Sequence, residues 1–153
     1  MIDAPRFENG KTMLIAGMSG HYGHDNADQL PGLWQRFAPH IGRIPGEVEG
    51  VAYGVCSNGD KAGFDYMAGV EIAGTASPPA GFEHLQIPAR RYAVFCHRDH
   101  IASLRQTMQA IWTDWLPQSG HEVAEAPLFE RYDDQFDPKT GLGGVEIWVP
   151  LKA

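Results

Sequence analysis

The stretch Gly69-Val70-Glu71-Ile72 recurs letter for letter as Gly144-Val145-Glu146-Ile147, at an offset of 75 residues. Four letters alone decide little, but the order of elements around them repeats as well. In the first half an apolar run at 13–18 reads as a strand, and 19–25, rich in small residues, as a turn. Leu30, Leu33, Trp34 and Phe37 then fall at helical spacing, with Asn26 or Asp28 as the cap and Pro39 and Gly42 as the stop. Residues 51–57 and 64–73 read as strands joined by the hairpin chemistry of Asn58-Gly59-Asp60. In the second half 89–96 reads as a strand, and Asp99 caps a helix bearing Ile101, Leu104, Met108, Ile111, Trp112, Trp115 and Leu116. Pro117 and Gly120 end it; strands at 128–132 and 145–151 follow, around a polar turn region at 133–144. Trp34 and Phe37 have the spacing of Trp112 and Trp115. Each half therefore reads strand–helix–strand–strand, with a linker at 74–83 between them. The expected fold is α+β: one domain over 1–153, a tandem βαββ repeat with half repeats of about 12–73 and 84–152 on a pseudo-twofold axis, with a central cleft.

With 153 residues, 43% hydrophobic and 20% charged, the chain is globular and long enough to bury a core without a disulfide or metal staple. Its 12 Lys and Arg stand against 19 Asp and Glu, a net charge of −7, and no basic run exceeds the pair Arg90-Arg91. That argues against direct contact with nucleic acid and favours cationic partners. Cys56 and Cys96 each sit in an apolar run and read as reduced thiols on strands. Residues 1–9 lack the apolar core of a signal peptide, and no stretch approaches the ~20 apolar residues of a membrane span. The cytoplasm, with no membrane contact, is the expected setting.

Alternation along the strands sorts the glutamates. Val145, Ile147, Val149 and Leu151 form one face, leaving Glu146 and Trp148 on the other; Phe64, Tyr66, Ala68, Val70 and Ile72 form one face, leaving Glu71 on the other. If helices cover the apolar faces, each half sends one glutamate to its far side. A wet outer face would be an ordinary setting for Glu71. Glu146 is set apart by Trp148 beside it, and by Leu128, Glu130 and Tyr132 on one parity of the neighbouring strand. A carboxylate ringed by Trp and Tyr suits an organic cation, and its pKa should rise when the site is empty.

The segments Pro127-Leu128-Phe129-Glu130-Arg131-Tyr132 and Val145-Glu146-Ile147-Trp148-Val149-Pro150-Leu151 carry a resemblance, as does the helix end Trp112-Thr113-Asp114-Trp115-Leu116-Pro117-Gln118-Ser119-Gly120-His121-Glu122. They resemble the GyrI-like family, the effector-binding domain also found behind DNA-binding modules in AraC-type and MerR-type multidrug-responsive regulators. The resemblance spans nearly the whole chain and is strongest after Ala89. It implies SH2-like βαββ halves and bulky, often cationic, aromatic ligands, held on the pseudo-twofold axis by a buried glutamate and aromatic walls. Carried over by motif, that glutamate is Glu146, with Trp148 as companion, or Glu130. Glu71 remains a third candidate for the centre, and Glu146 is preferred. Tyr53, Tyr66, Tyr92, Tyr132, Trp112 and Trp115 are wall candidates, although a Trp at helical spacing also suits a core. About eleven residues precede the first strand, so a stand-alone copy is expected, and a separate DNA-binding chain would have to read any operator.

Three functions fit. One is a binding module for amphipathic, cationic small molecules, serving sensing or sequestration in transcription regulation or drug resistance. Another is a hydrolase of reactive cyclopropane-type toxins, as reported for some members of the resembled family, with Glu146 as base and Tyr92 or Tyr132 assisting. The third is an inhibitor of a protein partner such as a topoisomerase. No cofactor is expected. His21-x-x-His24-Asp25 and His97-Arg98-Asp99-His100 lack metal-ligand spacing, and the latter better fits the opening of the second helix. Gly141-Leu142-Gly143-Gly144 follows no strand and opens no helix, so it reads as a hairpin loop.

Overall fold

The structure is a computed structural model and describes residues 4–23, 29–48, 50–60, 63–73, 80–133, 135–137 and 139–152. Strands β1 (Arg6–Gly10), β2 (Met13–Tyr22), β3 (Ala52–Asp60), β4 (Gly63–Ile72), β5 (Glu83–Ile87), β6 (Arg90–His97), β7 (Leu128–Tyr132) and β8 (Val145–Pro150) form one antiparallel sheet, ordered β1-β6-β8-β7-β3-β4-β2-β5. Exchanging β1–β4 for β5–β8 turns that order into its own reverse, with the β3–β7 pair at the centre.

The sheet cannot lie flat. β1 and β2 are six places apart in it, roughly 29 Å at about 4.8 Å per spacing. Yet only Lys11 and Thr12 join them, and three Cα steps of about 3.8 Å reach no more than about 11 Å. The same holds for β5 and β6 across Pro88 and Ala89. The registers explain how both joints are possible. From Arg6↔Val94 to Gly10↔Arg90, and again from Met13↔Ile87 to Gly17↔Glu83, paired residue numbers add to 100. β1–β2 and β5–β6 are thus two long bent strands forming a single continuous ribbon, which curls the sheet into a ring. At its bend the Ala89 amide donates to Thr12 Oγ1 at 3.2 Å.

The ring has a dry inside. Met13, Ile15, Tyr53, Val55, Met67, Ile87, Tyr92, Val94 and Phe129 form one buried cluster contributed by strands alone. Both helices lie outside. Helix α1 (Leu30–Phe37) packs Leu33 and Phe37 on Ala16, Tyr66, Ala68 and Val70. A 3-10 turn (Ile101–Ser103) leads into α2 (Leu104–Ala110), a π-helical turn (Ile111–Trp115) and α3 (Leu116–Ser119). Leu104 and Ile111 from this rod pack on Ala93, Phe95, Ile147 and Val149. No helix among the described residues is long and apolar enough to cross a membrane.

Several local expectations change. β1 lies in the polar stretch ahead of the expected first strand, and β5 covers residues that, apart from Glu83 in the linker, carry no element expectation; both are short edge pieces whose polarity hides their pairing. β2 runs on through Tyr22 instead of turning at Ser19, because it pairs with β4 as far as Phe64. Asn58-Gly59-Asp60 lies within β3, past an irregularity after Ser57. Asn26, Asp28, His24 and Asp25, and the linker over 74–79, fall outside the described residues. His100 rather than Asp99 caps the second helix, its Nδ1 accepting from the Ala102 amide. Pro117 does not end that helix. It opens α3, where a missing N–H costs nothing, and the wider π turn just before it accommodates the ring; Gly120, at φ 76, ends the helix.

The ribbon makes a testable demand at Gly10, where a Cβ would come within 2.6 Å of the Tyr92 ring. Gly10→Ala should lower stability by about 1–3 kcal/mol in a urea titration, as over-packing of a filled site does. A neutral result would mean that β1 does not seat on Tyr92.

Candidate functional site

At the centre of the sheet β3 and β7 pair with Gly54 opposite Glu130. Leu128, Glu130 and Tyr132 face the helices, while Phe129 faces the inner core. Glu130 is 7% exposed. Its Oε1 accepts the Tyr66 hydroxyl at 2.8 Å and the Tyr132 hydroxyl at 2.7 Å. Trp34 of α1 donates its indole N–H to the Tyr66 oxygen at 3.0 Å, and its ring stands edge-on to Tyr132 at 5.3 Å. Among the described residues no lysine, arginine or histidine is ion-paired with Glu130. Gly54 permits the convergence: a Cβ there would run into the Tyr66 hydroxyl and come within 2.6 Å of Glu130 Oε1.

Burial pushes the Glu130 carboxyl above its ordinary range, and the two hydroxyl donors only partly offset this. Burial, and then the carboxylate's charge, push Tyr66 and Tyr132 well up, so both stay protonated donors at neutral pH. Cys56 is pushed well up in the same way and is no activated thiolate. An open groove of about 910 Å³ lies one step along β7, lined by Cys56, Phe64, Trp112, Leu128 and the segment 123–127. Cys56 and Leu128 pair with one another next to the Gly54–Glu130 pair, so groove and carboxylate are neighbours on the helix side.

The preferred glutamate is placed differently. Strand parity puts Glu146 opposite the helices, as expected, on the side that faces into the ring. Register separates it from Glu130: Arg131, not Glu130, stands opposite Glu146, so the two carboxylates lie on opposite faces. Glu146 pairs with Arg6 at 2.7 Å and Arg131 at 3.5 Å and accepts from Trp148 Nε1 at 3.1 Å. Burial alone would raise its carboxyl, but these partners outweigh it and hold it below the ordinary range, the reverse of the expected rise.

The other candidates divide between the two faces. Tyr66 and Tyr132 join Glu130. Tyr53, Tyr92 and Trp148 belong to an inner aromatic row on Phe129, with centroids 5.3–5.6 Å apart. Glu71 pairs with Lys11 at 3.2 Å. Trp115 packs on Phe95 in the outer core, and Trp112 is half-exposed at the groove. Helical spacing places Trp34 on the apolar core face of its helix rather than at a site, and Gly54 carries no expectation. The available signal was a glycine inside an apolar strand, which often marks close approach. His97 is buried and bonds Thr107 Oγ1 and the His100 carbonyl, so it fastens β6 to the second helix. Among the described residues no group of three or more His, Cys, Asp or Glu could hold a metal ion.

Residues 3–152 match the family described as the GyrI-like small molecule binding domain. The transcriptional regulator BrlR of Pseudomonas aeruginosa is 32% identical over 139 residues, which are 90% of this chain and 51% of the regulator. A DNA gyrase inhibitor of Erwinia billingiae is 29% identical over 65 residues, 42% of this chain and 41% of the inhibitor. The chain thus spans about half the length of these relatives or less. In structure it is similar to SAV2435 bound to tetraphenylphosphonium (TM-score 0.77, 19% identity, covering 97% of this chain and 94% of that one). It is also similar to the EcmrR C-terminal domain (TM-score 0.69, 12% identity, 97% and 96%).

Two measurements check the geometry. A raised Glu130 carboxyl holds its proton more tightly folded than unfolded, so its contribution is greatest below about pH 4.5 and is lost as pH rises through the folded-state pKa. The melting temperature of the wild type relative to Glu130→Gln should therefore fall with rising pH. The lowered Glu146 carboxyl predicts the opposite trend against Glu146→Gln. A flat difference for Glu130 would contradict its burial. Gly54→Ala should cost about 1–3 kcal/mol in urea titration by driving Tyr66 and Glu130 apart.

Proposed function

The chain belongs to the GyrI-like small-molecule binding domain family, and from that premise we propose that it binds amphipathic, cationic, aromatic molecules with Glu130 as their counter-charge. One observation carries this: a carboxylate buried among Trp34, Tyr66 and Tyr132 has hydroxyl donors but no cationic partner among the described residues. A charge so placed is costly to hold alone, and a bound cation relieves that cost while the rings contribute cation–π contact. The adjoining groove offers the apolar body of such a ligand Phe64, Leu128 and the exposed face of Trp112. The structural neighbour bound to tetraphenylphosphonium supplies a lipophilic cation as chemical precedent.

The setting is sensing or sequestration, and the match to part of a transcriptional regulator supports a regulatory one in the cytoplasm. The division into repeats at about 12–73 and 84–152 belongs to the same proposal, supported by a strand order that reverses onto itself. Titration with rhodamine 6G at pH 7 should quench tryptophan fluorescence. Glu130→Gln should weaken binding at least about tenfold, or about 1.4 kcal/mol. Glu146→Gln should leave it within about twofold, since that carboxylate is already ion-paired. Unchanged affinity in Glu130→Gln would remove Glu130 as the counter-charge.

A further inference from the structure

The two oxygens of Glu130 lie in unlike settings. Oε1 accepts the Tyr66 and Tyr132 hydroxyls at 2.8 and 2.7 Å. Tyr66 is held as a donor because its own oxygen accepts from Trp34, whose indole has no acceptor to offer. Oε2 accepts no hydrogen bond among the described residues. It is also not sealed in: the buried side-chain atoms without a partner among them are Arg90 Nε and Tyr92 Oη. The carboxyl thus has one oxygen fixed by donors and one open to a proton from water. The groups facing it keep their own charge state. Tyr66 from β4, Tyr132 from β7 and Cys56 from β3 are pushed well up and stay neutral at pH 8 and below. The Trp34 N–H of α1 does not titrate, β8 sets Ile147 opposite, and Arg131 and Glu146 lie on the other face. Glu125, the other ionisable side chain on the groove, is exposed.

A buried carboxyl without a cation costs less to hold as the neutral acid, and an opposite charge brought beside it reverses that preference. Proton and ligand then compete for one unit of negative charge. We propose that the site exchanges them: as pH falls the empty site takes a proton on Oε2, and binding of a cation breaks that O–H bond and sends the proton to water. By linkage the proton weakens the ligand as much as the ligand weakens the proton, so acidification releases the ligand. This rests on Glu130 being the counter-charge. It adds a second effector, the proton, read by the same carboxylate. The competition needs no hydrogen on the ligand, so a permanent cation displaces the proton as an amine does.

Methyltriphenylphosphonium, whose charge does not titrate, tests the exchange on the full chain by isothermal calorimetry between pH 5 and 8. Far-UV circular dichroism confirms the fold at each pH. Affinity should be constant at the alkaline end and fall at lower pH, approaching about tenfold per pH unit, the slope of one proton. The binding heat should differ between phosphate and Bis-Tris at pH 6, because their ionisation heats differ, but not between phosphate and Tris at pH 8. Both effects should be absent in Glu130→Gln, which should bind at least about tenfold more weakly than the wild type at pH 8. Wild-type affinity that is flat over this range, with equal heats in both buffers, overturns the exchange. A slope that survives in Glu130→Gln overturns the assignment of the proton to Oε2. If the exchange fails but Glu130→Gln still binds about tenfold more weakly, Glu130 stands as counter-charge. If the variant binds as the wild type does, or if the wild type does not bind at pH 8, that reading falls as well. The pH slope and the heats are read on the unaltered protein, so a folding defect in the variant cannot mask them.

Discussion

Everything in this molecule hangs on the ribbon formed by residues 6–17 and 83–94, whose register continues unbroken across two bends. Two-residue connections tie one edge of the sheet to the other, so the sheet must curl and its two faces take different fates. The inner face becomes a dry core of Tyr53, Val55, Tyr92, Phe129 and their neighbours. The outer face receives both helices, one for each half of the chain. The halves meet at β3 and β7, where Glu130 sits. A backbone constraint at the two bends thus gives the two faces of the sheet their different surroundings.

Glu130 and Glu146 form a controlled comparison of two environments. They belong to adjacent strands and differ by one step of register, and their carboxyls shift in opposite directions. Glu146 meets Arg6 from the ribbon and Arg131 from β7, so its charge is settled within the protein. Among the described residues Glu130 meets only hydroxyls, which orient it without neutralising it. Burial near an arginine gives a structural ion pair; burial near phenols alone leaves charge in want of a partner. Net charge of the whole chain would never have distinguished the two.

The fold was legible where periodicity is strong. β4, β6, β7 and β8 and both helices fall close to where alternation and helical spacing put them. β1 and β5 were not legible, because Arg6, Glu8, Asn9, Glu83, His84 and Gln86 give no apolar alternation; their place is set by pairing with distant strands. The site shows the same limit. Glu130, Tyr66 and Tyr132 were all named from sequence, but strand parity says only which residues share a face of one strand. Joining β7 to β8 needs a register, and Arg131 opposite Glu146 overturns the grouping that set Glu130 beside Trp148. Trp34 looked like core because its apolar ring lies at helical spacing. Its N–H, which fixes the Tyr66 hydroxyl, leaves no mark on that pattern.

The exchange of leading strands has a bearing on heredity. β1 of the first half completes the second, and β5 of the second half completes the first. A substitution in either strand is therefore judged by the opposite half, as Gly10 is by Tyr92. Neither half is free to wander alone, and change must spread through the two as matched moves, like the warp and weft of one cloth.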